Sequence, residues 1–517
     1  MSIKLKSAPV VIILLFFVFF KSIYAQDTTK SLAYKNNKEH RTMYFYQPNL
    51  AYELWQQFTL MKKANEGDPL AEHELGLRYL LGQGTVADTL KGAYWVKKAA
   101  DAKLAAACFN YGILLLNGWG VKWDPFKAFN YFSIAAKDGM PAAQFVFGLF
   151  YTDNLIVRKD WATAYSWVKK AADQDYKPAI ETLKEIKKKV PNVSSANDSN
   201  MDSAENDSND KEDSFTSSIG LVFIDFDTET DTTRQIPEKV IIQDLNNEGN
   251  KELADTLGVS KSKDSTLLLD KKRIDVLNKF AENGSPEALT LLGKLNEKGT
   301  YFKKNIITAA AYYIRAVRLN SNTAPFLLYQ AAKEKSFMNI IQSKVDKNDP
   351  EAMFVWYGLN DLGFSNLITH EDAVKLLKRS AQKKYVPAIV ELGLNYYTGK
   401  VVKKDTAEAY KLWNEAEKLG STEAKTRIVT SRIFDRTDEK NLQKDTEFLR
   451  VAAAEGSVLA QTALAKIYET GIGTDKNIAE AVKYYRFAAQ RGNRYAYNQL
   501  LQIYNSVRPP GPEFRIN

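Results

Sequence analysis

The chain has a single cysteine in 517 residues, so no disulfide forms within it and packing alone must hold the fold. That residue, Cys108, lies in the run Ala105-Ala106-Ala107-Cys108-Phe109, where a small buried side chain is expected rather than a reactive thiol. Histidine is nearly as scarce. His40, His73 and His370 show no metal-type spacing, so neither a metal site nor a cofactor is expected. No GxSxG elbow, HExxH pair or phosphate loop occurs. Gly82-x-Gly84 and Gly471-x-Gly473 follow helical patterns as well as precede them, so they read as helix stops. Glu72 and Glu74 flank His73 with nothing to position a nucleophile, and no catalytic residue is assigned.

Long apolar runs are also missing, with one exception. Val10–Phe20 is eleven residues long, too short to cross a hydrocarbon layer of about 30 Å. Lys4 and Lys6 precede it and Ile23-Tyr24-Ala25 follows, so residues 1–25 are expected to be a secretory signal peptide. The mature chain is then exported, periplasmic or extracellular, without a transmembrane anchor, and nucleic acid is not an expected partner. The net charge of +9 is unevenly spread: residues 191–262 hold 16 acidic and 5 basic side chains, a net of −11, which leaves +20 elsewhere. The basic residues are scattered over helix patterns and read as solvated surface.

What the chain does have is a period. Asp88, Asp124 and Asp160 stand 36 residues apart, and Thr369, Asp405, Asn441 and Asn477 repeat the same step. Each unit reads as two helices. In the first, Ala71, Leu75 and Tyr79 share one face; Gly82 ends that helix and Asp88 opens the next. Asp88, Asp124, Asp160, Asn305, Thr369, Asp405, Asn441 and Asn477 are all good N-cap residues, and Pro125 after Asp124 is a favoured first helical residue. The repeated aromatics Trp95, Tyr131, Trp167, Tyr312, Phe448 and Tyr484 interchange with Leu376 and Leu412, so they read as packing between helices. A fixed period of this kind marks a repeat array.

Leu75-Gly76-x-x-Tyr79-x-x-Gly82-x-Gly84 with Asp88, Gly92, Trp95 and Ala99-Ala100 resembles the Sel1-like repeat. So do Leu392-Gly393 with Tyr396, Gly399 and Asp405, and Leu464-Ala465 with Tyr468, Gly471 and Ala488-Ala489. The resemblance implies an all-α fold, a right-handed α-solenoid related to the tetratricopeptide repeats, and an adaptor that holds other proteins.

The expected organisation is the signal peptide (1–25), an N-terminal extension (26–50), a first repeat block (51–190), an acidic linker (191–269), a second block (270–506) and a Pro-rich tail (507–517). Of the 21 residues Ser194–Ser214, 17 are Ser, Asn, Asp or Glu, so the linker is expected to be largely disordered. Residues 219–226 read either as a short strand or as an extended segment laid on a solenoid face. The tail, with Pro509, Pro510 and Pro512, cannot continue a helix and is expected to fray. Two defects interrupt the array. Asn305 to Thr369 is 64 residues, eight short of two periods, and the unit around Asn441 has a polar first helix through Lys425-Thr426-Arg427. Altered curvature is expected at both. How the two blocks are arranged stays open.

Trp119 and Trp123 share one loop, and Tyr301-Phe302 occupies the matching loop of the second block; all four are candidate contact residues. The functional expectation is an exported, non-enzymatic scaffold that binds a protein or peptide partner along its first helices. The alternative is a periplasmic cell-wall hydrolase or a regulator of a cell-wall enzyme.

Overall fold

The computed structural model describes residues 57–82, 86–189, 253–254, 257, 269–299, 301–435 and 441–516. The segment expected to be a signal peptide (1–25), the N-terminal extension, nearly all of the acidic linker and the 219–226 segment lie outside them. Among the described residues there are twenty-two α-helices and no strand.

Residues 57–189 form α1 (Gln57–Asn65), α2 (Pro69–Leu81), α3 (Thr89–Asp101), α4 (Ala105–Asn117), α5 (Pro125–Lys137), α6 (Pro141–Leu149), α7 (Trp161–Ala172) and α8 (Lys177–Lys189). The second block begins with α9 (Lys271–Glu282), α10 (Pro286–Lys298), α11 (Ile306–Arg318), α12 (Ala324–Lys333), α13 (Lys335–Asp346), α14 (Pro350–Asp361) and α15 (His370–Gln382). It continues with α16 (Val386–Thr398), α17 (Thr406–Lys418), α18 (Thr422–Asp435), α19 (Leu442–Ala454), α20 (Val458–Thr470), α21 (Ile478–Gln490) and α22 (Arg494–Ser506). Each helix packs chiefly against its neighbours in the chain, as a solenoid requires.

Local chemistry explains the hairpin. The first helix stops where a glycine takes φ near +70°, as Gly82, Gly118, Gly299, Gly399 and Gly471 do. The chain then turns so that the N-cap residue donates its backbone N–H to a carbonyl near the end of the first helix. Asp88 bonds Tyr79, Asp160 bonds Tyr151, Asp405 bonds Tyr396 and Asn477 bonds Tyr468, at 2.8 to 2.9 Å. The cap side chain meanwhile accepts from the second helix: Asp88 from Lys91, Asp124 from Lys127, Asp160 from Ala162 and Thr163, Asn305 from Ile307 and Thr308. Thr369 accepts from Asp372, Asp405 from Glu408 and Asn477 from Glu480. Asn441 is the exception. Its backbone sits at φ −101°, ψ 2° instead of in the extended region, and it makes no side-chain cap bond.

The second helix buries one stripe. In α3 this is Gly92, Ala93, Val96, Ala99 and Ala100, at helical spacing. Small residues allow close approach: a Cβ on Gly393 would lie 2.5 Å from Trp413 Nε1, whose N–H donates to the Val390 carbonyl at 3.1 Å. The repeated aromatics are half-buried rather than enclosed, and Lys98 and Lys170 lie over the Trp95 and Trp167 rings.

At the first defect the loop shrinks to one residue: Glu334 both ends α12 and begins α13. α14 then packs directly on α11, and a Cβ on Gly358 would lie 2.7 Å from Ile314. At the second defect the polar first helix, α18, turns its charge inward. Glu423 is buried between Arg427 at 2.9 Å and Arg315 at 3.3 Å.

The tail does not fray. Phe514 is buried against Phe126 and Phe129, with ring centroids 5.0 and 5.6 Å away. Arg508 donates to the carbonyls of Leu155, Ile156 and Phe514 at 2.7 to 2.9 Å. The prolines do stop the helix, as expected, but the segment beyond them has an aromatic anchor and a fixed cation. Through this contact, the Trp123–Tyr504 ring pair at 5.4 Å and the Arg486–Asp153 ion pair at 3.6 Å, the first block and the chain's last helices share one hydrophobic core.

Candidate functional site

The four loop aromatics separate into two kinds. Trp119 is carried between Gly118 and Gly120, both at positive φ, and is exposed. Trp123, four residues on, is turned inward against Tyr504 and is buried. In the matching loop Tyr301 is exposed, whereas Phe302 is half-buried against the second core, their rings 5.0 Å apart. The pattern has a simple cause: the residue nearer the N-cap faces the helix junction, and the residue nearer the glycine faces out.

The ionisable groups near His73 are engaged with neighbouring helices. Glu72 pairs with Lys98 at 2.7 Å, and Glu74 with Arg78 at 2.9 Å. His73 Nε2 bonds Asn110 Nδ2 at 2.9 Å, and burial lowers its imidazole to about 4, so the ring is neutral at pH 7. Burial likewise pushes the Cys108 thiol up to about 12, as suits a packing residue. Among the described residues, no group of three or more His, Cys, Asp or Glu is placed to hold a metal ion. Nor is any described helix long and apolar enough to cross a membrane.

Sequence reasoning missed an ionic network that ties distant repeats together. Arg491, fully buried, donates to Glu287 at 2.6 and 2.9 Å and to Gln461 at 3.0 Å, joining the last repeat to the first of the second block. Lys279 on α9 and Asn283, which caps its C-terminus, both reach Glu455 after α19. Arg318 bridges Asp361 at 2.5 Å and Glu391 at 2.9 Å. Burial pushes the Glu391 carboxyl up, partly countered by Arg318 and Arg427. At Glu423 burial also pushes upward, but Arg427 and Arg315 outweigh it and the carboxyl is held low. The only sequence signal was the polar stretch in α18; partners 43 to 204 residues apart leave no periodic trace. In the second block these polar groups of the first helices are therefore occupied by the chain itself.

The Sel1 repeat family matches residues 69–104, 105–140, 141–176, 286–321, 386–421 and 458–493. A curated relative from Arabidopsis thaliana, the ERAD-associated E3 ubiquitin-protein ligase component HRD3B, is 35% identical over 100 residues, which is 19% of this chain and 15% of that protein. This chain therefore matches only a small part of that relative's length. Two solved structures are also similar. One is c5321, a protective antigen of uropathogenic Escherichia coli with an SLR fold, at 19% identity over 88% of this chain and 84% of that one, TM-score 0.31. The other is a Sel1 repeat protein from Oxalobacter formigenes, 34% identical over 25% of this chain and 96% of that one, TM-score 0.24. Three matched segments lie in each block, and each folds as a helical hairpin, the one at 141–176 without the glycine stop: six segments of this chain match the Sel1 repeat, within an all-α solenoid.

Proposed function

We propose that the chain is an exported, non-enzymatic scaffold that binds a protein or peptide partner through its Sel1 repeats. The observation that carries this reading is the array, in which side chains from successive repeats form one extended surface. The relative from Arabidopsis is named as a component of a ligase assembly, which agrees with a role in holding proteins together. Four of the buried carboxylates, Glu72, Glu287, Glu391 and Glu423, each face a Lys or Arg of the chain itself. Export rests on the basic and apolar segments of residues 1–25.

The experiment is crosslinking of the full chain in its native envelope, followed by identification of the captured protein. A saturable partner, lost when surface charges on one face of the array are reversed, is the expected result. A chain found in the cytosol, or one that cleaves glycan or peptidoglycan, overturns the reading.

A further inference from the structure

The repeats supply their own control at one position. Two residues after the N-cap, the second helices of three repeats carry a large apolar side chain: Leu90, Phe126 and Ile307. Phe126 and Ile307 are 2% and 1% exposed. Where this position faces solvent in other repeats it is small or polar, as Glu371, Ala407 and Gln443 are. Leu90 breaks the rule, at 71% exposed. One helical turn on, Tyr94 is 58% exposed where the equivalent residues are Lys375 and Lys411. Val86 just ahead of the cap is exposed as well. The loop that carries the exposed Trp119 lies against the same helix: a Cβ on Gly120 would come 2.1 Å from the Thr89 carbonyl. One end of the array thus presents a row of large apolar side chains to water, the mark of an interaction surface.

The next repeat shows what such a surface accepts. Phe126 is covered by the Tyr504 ring at 6.4 Å, the Phe514 ring at 5.0 Å and the Arg508 guanidinium 5.2 Å from its own ring centre. We propose that the Leu90–Tyr94–Trp119 face of the first repeat docks an aromatic- and arginine-bearing segment of a partner protein, the chemistry that Tyr504, Arg508 and Phe514 present one repeat further on. A second copy of this chain does not provide the segment, because its own is already seated, with Arg508 held by the Leu155 and Ile156 carbonyls. The proposal rests on the adaptor reading and names where that reading acts.

The test titrates the full chain into a fluorescent peptide with the sequence of residues 507–517. Saturable binding is expected, weakened at least tenfold by Leu90→Lys with Tyr94→Lys, and likewise by Phe514→Ala within the peptide. Circular dichroism should not change, since both substituted side chains are exposed. No binding, or binding unaffected by the double substitution because the peptide exchanges at Phe126, overturns the proposal. So does self-association that the double substitution abolishes, or a benzophenone at position 94 that crosslinks to residues 26–50 of the same chain. If the double variant still captures the wild-type envelope partner, the adaptor reading stands and this surface is wrong.

Discussion

Replacing Phe514 by alanine removes the anchor that seats the C-terminal segment on the first block. The ring is buried, edge-on to Phe126 and close to Phe129. Truncating a buried phenylalanine costs about 3 to 5 kcal/mol, from lost transfer energy and the cavity left behind. Phe514 sits in a single 3-10 turn, Pro512–Phe514, outside the helices, where the backbone relaxes readily, so the lower figure, about 3 kcal/mol, is the expectation. Arg508 keeps its bonds to Leu155 and Ile156 in the variant but loses the fixed Phe514 carbonyl. Urea denaturation followed by tryptophan fluorescence reads the change, because Trp123 stands at this seam beside Tyr504. The wild-type chain should show the seam and the last helices melting together. The variant should show an earlier fluorescence transition and faster proteolysis after Ser506. A loss below about 1 kcal/mol with unchanged proteolysis would refute the shared core.

Stability should fall as pH drops from 6.5 to about 4, because His73 is neutral in the fold while the unfolded imidazole takes up a proton below its ordinary 6.5. At 1.36 kcal/mol per pKa unit the loss is about 3 kcal/mol, complete near pH 4, and His73→Gln should flatten that slope in denaturation curves. Asp124→Ala should cost about 1 kcal/mol for its lost cap bond, whereas Asn441→Ala, with no cap bond to lose, should cost less in the same assay. Glu287→Ala leaves the fully buried Arg491 guanidinium without its bidentate carboxylate and should cost about 3 to 5 kcal/mol; the double change to apolar residues of similar volume should restore much of it.

The array was legible because each hairpin solves the same local problem. A glycine stops the first helix, a short polar side chain caps the second, and small residues let the two approach. Gly82, Asp88 and Gly92 carry all three signals within eleven residues. The candidate aromatics were legible only as residue types. Sequence paired Trp119 with Trp123, but whether an indole faces solvent depends on which side of the turn it leaves, and only Trp119 remains exposed. The exposed Leu90 escaped notice because leucine on an amphipathic helix is unremarkable until its equivalents are seen to be covered.

Period, seven of the eight caps and the two defects follow from interactions within about forty residues, so the chain itself states them; Asn441 is the cap it misstates. The arrangement of the blocks does not. Within the second block it depends on Arg491 meeting Glu287 and Glu423 meeting Arg315, and between the blocks on Phe514 meeting Phe126, contacts between residues 108 to 388 positions apart. Such contacts carry no period and no composition, and arise only once the superhelix has brought its own turns together. Tertiary packing therefore decided that the proline-rich tail is a seated strap, that a polar helix is an internal ion-pair partner, and that among the described residues Leu90 and Tyr94 of the first repeat stay exposed.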